Sequence, residues 1–316
     1  MSANTAQPLE RITVAICTRD RPAFLEETVR HILEQEVGCP WELLVIDNGQ
    51  AHPVDTVIDA MQSDIEIRVA LEPQPGIDRA RNRALLEARG DVIVFADDDI
   101  TALPGWLDAY RVEFENPEVG GAGGRIFPML PDEAERWTRS LSLHIGGPPG
   151  RYDYGKIGQD IDLKRQSAPF GGNMALRTEP ARQVGGFSEN FGYGRRRVPG
   201  EDTEIFVRLA ATGARLRYSP GATVMHRVPL DKLTMPYFIS WWRGLGISRT
   251  LVRRSGQYAT VASAPMWPMS VIRFLKYSIR RGWHAHLSPR WLRAVQKQQV
   301  ALGEVLEGLR GLRGNA

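Results

Sequence analysis

The densest chemistry in the chain is Asp97-Asp98-Asp99, set at the end of the apolar run Val92–Ala96. Side chains alternate along an extended backbone, so Asp97 and Asp99 share one side and Asp98 takes the other. Two converging carboxylates repel, and one is driven toward protonation unless a cation lies between them. Hard oxygen ligands at the carboxyl end of a strand suit Mg²⁺ or Mn²⁺, which bind through one or two carboxylates plus substrate phosphates. The competing reading is an acidic loop in which Asp99 or Thr101 caps a helix begun by Pro104. A second acidic pair, Glu201-Asp202, opens a helix marked by Ile205, Phe206 and Leu209 and closed by Gly213. Acids there also favour the helix dipole, whether or not they do chemistry. His226 ends the apolar stretch Ala222–Met225; a lone histidine in such a place is a ligand or simply structural.

These residues need elements to hold them. Arg11–Cys17, Trp41–Asp47, Ile65–Leu71 and Asp91–Ala96 are predicted strands, and Pro22–Gln35, Pro53–Met61 and Ile77–Ala88 predicted helices. Strand and helix alternating on short links define a parallel sheet with helices on both faces. Ligands of such sheets bind beyond the carboxyl ends of the strands. That rule gathers Thr18 and Arg21 after the first strand, Asp47 and Asn48 after the second, Glu72 after the third and Asp97–Asp99 after the fourth. No glycine-rich phosphate loop follows the first strand, so a nucleotide here needs a metal and basic side chains for its phosphates. Arg79, Arg81 and Arg83 are the candidates, against the alternative that they are only solvated. Val119–Pro128 reads as a glycine-rich strand approached closely by other backbone. Pro131–Asp162 is predicted to be a loop-rich, mobile insertion.

The chain has 316 residues and a net charge of +3 that is unevenly shared. Pro229–Ala316 holds 14 Lys/Arg against 3 Asp/Glu, so it carries +11 and the remainder −8. The shift marks two parts, 1–228 and 229–316, with different partners. Trp241, Trp242, Trp267, Trp283 and Trp291 lie among the arginines of the second part, which is predicted to be helical with a break near Ser263–Pro268. An anionic membrane surface is its expected partner; packing of the Trp and Leu side on the first part is the alternative. Nucleic acid is not expected, since no recognition motif is present and the first part is acidic. Two cysteines, no basic and apolar leader and no long apolar span lead to the expectation of a cytoplasmic protein, peripheral on the inner membrane face at most.

The strings CTRDRPAFLEETVRHIL, LLVIDNG and PGIDRARNRALLEARGDVIVFADDD resemble the nucleotide-binding half of family 2 glycosyltransferases. GGNMALR, GGFSENFG and GEDTEIFVRLAATGARLRYSPGATVMHR resemble the acceptor-side half of the same family. The resemblance implies an α/β GT-A fold, a mostly parallel sheet between helices. Its nucleotide-binding half would span 11–100, its acceptor half 101–228, and a helical extension would follow. It implies Asp97 and Asp99 as the outer acids of a DXD metal motif with His226 completing the site, and Asp202 as catalytic base. Thr18 and Asp47 would contact the nucleobase, with Arg21, Glu72, Arg79, Asp98 and Gly172 around the donor. Thr-Arg-Asp-Arg stands where many members have Thr-Tyr-Asn-Arg, removing an aromatic that would stack on the base. The implied reaction is metal-dependent, inverting transfer from a nucleotide-diphosphate sugar, UDP being the commonest carrier. The acceptor would be a hydroxyl on a glycan, a lipid-linked precursor or a small molecule. A retaining transferase, a nucleotide-sugar hydrolase and a silent sugar-binding module are the rivals.

Overall fold

Ile12–Thr18 (β1), Trp41–Asp47 (β2), Glu66–Leu71 (β3) and Val92–Asp97 (β4) form parallel strands in the order β3-β2-β1-β4. β1, β2 and β4 are buried along most of their length, which is why they read as unbroken apolar runs. Pro22–Leu33 (α1), Asp55–Ile58 (α2) and Ile77–Glu87 (α3) connect them. A computed structural model of the chain describes residues 8–49, 54–142, 150–189, 199–254 and 267–313. The start of the helix expected from Pro53, the prolines and glycines at 146–149, Arg195–Arg197 and most of the expected break at 263–268 lie outside them.

The second half of the sheet is mixed. Ile100–Ala102 (β5) and Trp106–Phe114 (α4) are followed by Val119–Met129 (β6), Arg136–Ser142 (α5) and Gln159–Asp160 (β7). Then come Asn173–Arg177 (β8), Thr178–Gln183 (α6), Glu201–Ala211 (α7) and Arg215–Arg227 (β9). β8 inserts antiparallel between β4 and β6, and β9 runs parallel to β6 and antiparallel to β5. The full order is β3-β2-β1-β4-β8-β6-β9-β5, with β7 on β9.

Asn173, wholly buried at the head of β8, ties these elements together. Its side-chain oxygen accepts from Trp106 Nε1 and the Tyr110 hydroxyl, each at 2.8 Å, and its amide donates to the carbonyls of Arg125 and Ala222. A buried amide costs stability unless its donors and acceptor are satisfied, and here they are. Within the insertion expected to be mobile, Tyr152 is wholly buried, pairs with Ile126 and packs on Tyr154, Phe170 and Tyr218; residues 143–149 lie outside the described residues.

Met235–Arg254 (α8), Trp267–Gly282 (α9) and Pro289–Arg313 (α10) form the C-terminal extension. α8 and α10 share a core in which Phe238, Trp242, Leu292 and Val295 pack on Trp137 from α5 and on Val228 and Leu233. For these two helices the inward-packing alternative therefore holds. Among the described residues no helix is long and apolar enough to cross a membrane.

Candidate active site

The carboxyl end of β4 and the last residues of β9 meet because β5 pairs antiparallel with β9, setting Ile100 against His226. Asp97, Asp99 and His226 each offer a ligand atom, and these atoms all lie within 4.8 Å of one another. His226 Nε2 is 3.2 Å from Asp99 Oδ1. Arg21 Nη1 donates to the other oxygen, Asp99 Oδ2, at 2.8 Å. Asp99 Oδ1 is buried and has no hydrogen-bond partner among the described residues, and neither does His226 Nδ1. Burial pushes the Asp99 carboxyl up, but His226 and Arg21 outweigh it and hold the group well below the usual carboxylate range. Burial likewise opposes charge on His226, yet the Asp99 and Asp97 carboxylates raise its pKa. Two hard oxygens and an imidazole, with one buried oxygen left unsatisfied, fit Mn²⁺ or Mg²⁺.

Asp98, expected around the donor, has its carboxylate bound within the protein. Its side chain is turned inward, wholly buried, and accepts from Thr18 Oγ1 at 2.6 Å and from Arg21 Nε at 3.1 Å, with Arg21 Nη2 bonding its second oxygen. Burial raises its pKa to about 6 despite Arg21 and Thr18. The Thr28 hydroxyl, from α1, reaches the backbone carbonyls of Asp98 and Ile100 at 2.8 and 2.9 Å, and so braces the turn between β4 and β5. Asp98 therefore locks the turn that aims its two neighbours.

Asp202 stands across the cleft at the start of α7. Its Oδ2 accepts from Gly171 N at 3.1 Å and its Oδ1 from Thr203 N at 2.6 Å, which fixes the carboxylate. Burial and the neighbouring Glu201 carboxylate push its pKa up to about 7, against the pull of Arg81 and the two backbone N–H groups. Arg81 is the link between the acids: it is buried, donates to Glu201 Oε1 at 3.0 Å and lies 3.9 Å from Asp97 Oδ1. The glycines before β8 make room for this arrangement. A Cβ at Gly171 would meet the Arg81 guanidinium, and one at Gly172 would lie 2.5 Å from Asp97 Oδ2.

One cleft of about 1230 Å³ is lined by Thr18, Arg21, Asp97, Asp99, Asp202 and His226, as well as by Arg81 and Gly172. Residues of the extension, among them Tyr237, Trp241 and Arg273, form part of its wall. The remaining expected donor contacts stand beside the cleft. Asp47 Oδ1 accepts from Gly49 N and Glu72 Oε1 from Gln74 N, both as turn caps. Arg79 pairs with Glu189 at 2.6 Å and bonds Gln74; Arg83 pairs with Glu87 at 2.7 Å. Of the three arginines on α3, only Arg81 faces the acids.

Asp78 was not singled out by the sequence. It is buried at the start of α3, and its Oδ1 has no hydrogen-bond partner among the described residues. Burial, with the Glu201 and Asp202 charges, raises its pKa to about 8. In sequence it reads as an ordinary first-turn acid, and only the approach of α7 and of Glu189 gives it acidic neighbours.

Residues 13–185, more than half of the chain, match the family described as glycosyl transferase family 2. The chain belongs to that family. Residues 158–232 also match a family described as the N-terminal domain of galactosyltransferase. The chain is 29% identical over 226 residues to the pre-mycofactocin glycosyltransferase of Mycobacterium tuberculosis, covering 68% of this chain and 42% of that protein. It is 26% identical over 244 residues to the glucosyl-dolichyl phosphate glucuronosyltransferase of Haloferax volcanii, covering 74% of this chain and 75% of that one. The chain thus spans less than half the length of its mycobacterial relative. Among solved structures, a mannosyltransferase from Pyrobaculum calidifontis in complex with GDP-Man and Mn²⁺ superimposes with a TM-score of 0.53 at 17% identity, over 98% of this chain and 76% of that one. These likenesses agree with the expected GT-A architecture.

Proposed function

We propose that the chain transfers a sugar, with inversion, from a nucleotide-diphosphate sugar to an acceptor hydroxyl. The observation that carries this reading is that Asp202 and the Asp97, Asp99 and His226 cluster line one cleft. Asp97, Asp99 and His226 would hold Mn²⁺ or Mg²⁺, which when bound supplies Lewis-acid neutralisation of the leaving diphosphate. Arg21 keeps Asp99 ionised and oriented, and Arg81 holds Glu201 in place through a hydrogen bond of 3.0 Å. Asp202 takes the proton of the acceptor hydroxyl as its oxygen attacks the anomeric carbon and the bond to the diphosphate breaks on the opposite face. A carboxylate whose pKa lies near 7 is well matched to that task, since it is both ionised and basic near neutrality.

UDP is the proposed carrier, and the acceptor a glycan, lipid-linked precursor or small molecule of polysaccharide or glycolipid synthesis. The Haloferax relative is named for a lipid-linked acceptor, and the Pyrobaculum structure holds GDP-Man, so GDP-sugars belong in the same test. Residues 1–228 form the catalytic unit in this reading, and 229–316 a separate element that closes one wall. Thermal unfolding with Mn²⁺ and a panel of UDP- and GDP-sugars identifies the donor, because bound ligand raises stability by mass action. NMR of the linkage formed from that donor then reads the stereochemistry. Donor consumption without acceptor at the full catalytic rate would favour a hydrolase, and donor binding without turnover a silent module.

A further inference from the structure

We infer that α9 lies in the plane of an anionic phospholipid bilayer and docks the chain on it. The helix is inverted relative to the surface helices of globular proteins, which bury an apolar stripe and expose a polar one. Met269, Ile272, Leu275 and Ile279 are each more than half exposed, and Trp283, just past the helix end, is 78% exposed. Their spacing puts them on one face, an arc of roughly 120° at about 3.6 residues per turn.

The opposite face, where Ser270, Ser278 and Arg281 stand among the part-buried Val271, Phe274 and Tyr277, is turned onto α10. Ser270 is wholly buried and donates to Glu304, which Arg273 also contacts at 3.1 Å. Gln298 Nε2 donates to Ser278 Oγ at 2.7 Å, Arg281 donates to Gln298 Oε1 at 3.3 Å, and Lys297 stacks on Tyr277. These bonds fix the rotation of the helix, so the apolar face cannot roll inward without breaking them.

Charge selects the occupant. No Asp or Glu occurs from residue 232 to residue 303. Lys276, Arg280 and Arg290 are exposed along and beyond the helix. An apolar stripe that carries Lys276 near one side and Arg280 at its border, with an exposed tryptophan at its end, matches the interface of an anionic membrane. No described helix can cross the bilayer, so α9 lies flat. The docking does not depend on the reading of the cleft.

The test is co-sedimentation of the full chain with vesicles of phosphatidylcholine, with and without phosphatidylglycerol. The chain should pellet with the anionic vesicles and bind neutral ones roughly tenfold less. Ile272→Glu combined with Ile279→Glu should weaken binding by about tenfold or more, the side chains being outward and the melting temperature unchanged. Lys276→Glu with Arg280→Glu should remove the preference for anionic lipid. A chain that stays in the supernatant with both vesicles would overturn the inference, as would a double glutamate variant that pellets like the parent. So would a dimer that this variant splits while neither form binds lipid, for the face would then pair two copies. Pelleting is read without turnover, so a failure of the catalytic reading leaves it untouched.

Discussion

Gly172 sits so close to Asp97 that a Cβ on the glycine would lie 2.5 Å from the carboxylate oxygen Oδ2. The absence of a side chain at one end of β8 thus sets the position of an acid at the end of β4. Gly172→Ala should displace Asp97 and lower the apparent Mn²⁺ affinity by roughly 10- to 100-fold, the cost typical of disturbing a ligand's support. Calorimetric titration of Mn²⁺ checks this, with circular dichroism to show the fold intact. Unchanged affinity would take Asp97 out of the proposed site.

Asp202→Asn keeps the shape of the side chain and removes the proton acceptor. Turnover should fall by about 10² to 10⁴ while the donor dissociation constant stays within a few-fold. The parent's pH profile gives a second reading. Because the Asp202 pKa is raised to about 7, the base is protonated below that pH, and turnover should fall about tenfold per pH unit on the acid side and level off above it. A profile flat from pH 5 to pH 8 would remove Asp202 from the proton transfer.

Asp78 predicts a pH-dependent stability that does not pass through catalysis. Its folded pKa, about 8, lies above the unfolded value, so the folded chain holds a proton that the unfolded chain releases. Stability from this group is present at low pH and is lost as pH rises from about 4 to about 8. Asp78→Asn mimics the protonated form. Its melting temperature relative to the parent should therefore climb across that window, and a pH-independent difference would contradict the assignment.

Asn173→Ala strips a partner from the Trp106 donor and from the Arg125 and Ala222 carbonyls, while the Tyr110 hydroxyl keeps only the backbone carbonyl of residue 173 at 2.9 Å. Leaving several buried polar groups unsatisfied should cost roughly 3 kcal/mol or more, measured by urea unfolding. A loss below about 1 kcal/mol would mean that water or relaxation replaces the network.

Much of the first half was legible in the linear chain. The strand Trp41–Asp47 has the expected ends, and Ile12–Thr18, Pro22–Leu33, Ile77–Glu87 and Val92–Asp97 differ by only a residue or two. Buried parallel strands and amphipathic helices leave period and composition signals within a few turns of chain. Strand alternation predicts Asp97 and Asp99 on one side with Asp98 turned away; that arrangement is found, although Asp98 and Asp99 lie in the turn between β4 and β5, which is held by Thr28, Thr18 and Arg21.

Which groups those acids meet was settled only in three dimensions. The antiparallel entry of β8 and the pairing of β5 with β9 bring His226 to Asp99, carry Gly172 against Asp97 and deliver Asp202 to the same cleft. The same packing selects Arg81 over Arg79 and Arg83, buries Asp78 beside α7, and turns the Ser270 face of α9 inward. Local propensity records what each residue prefers next to its chain neighbours. Ion pairs, pKa shifts and exposed faces depend on contacts between residues far apart in sequence, and those arise from strand order and helix rotation.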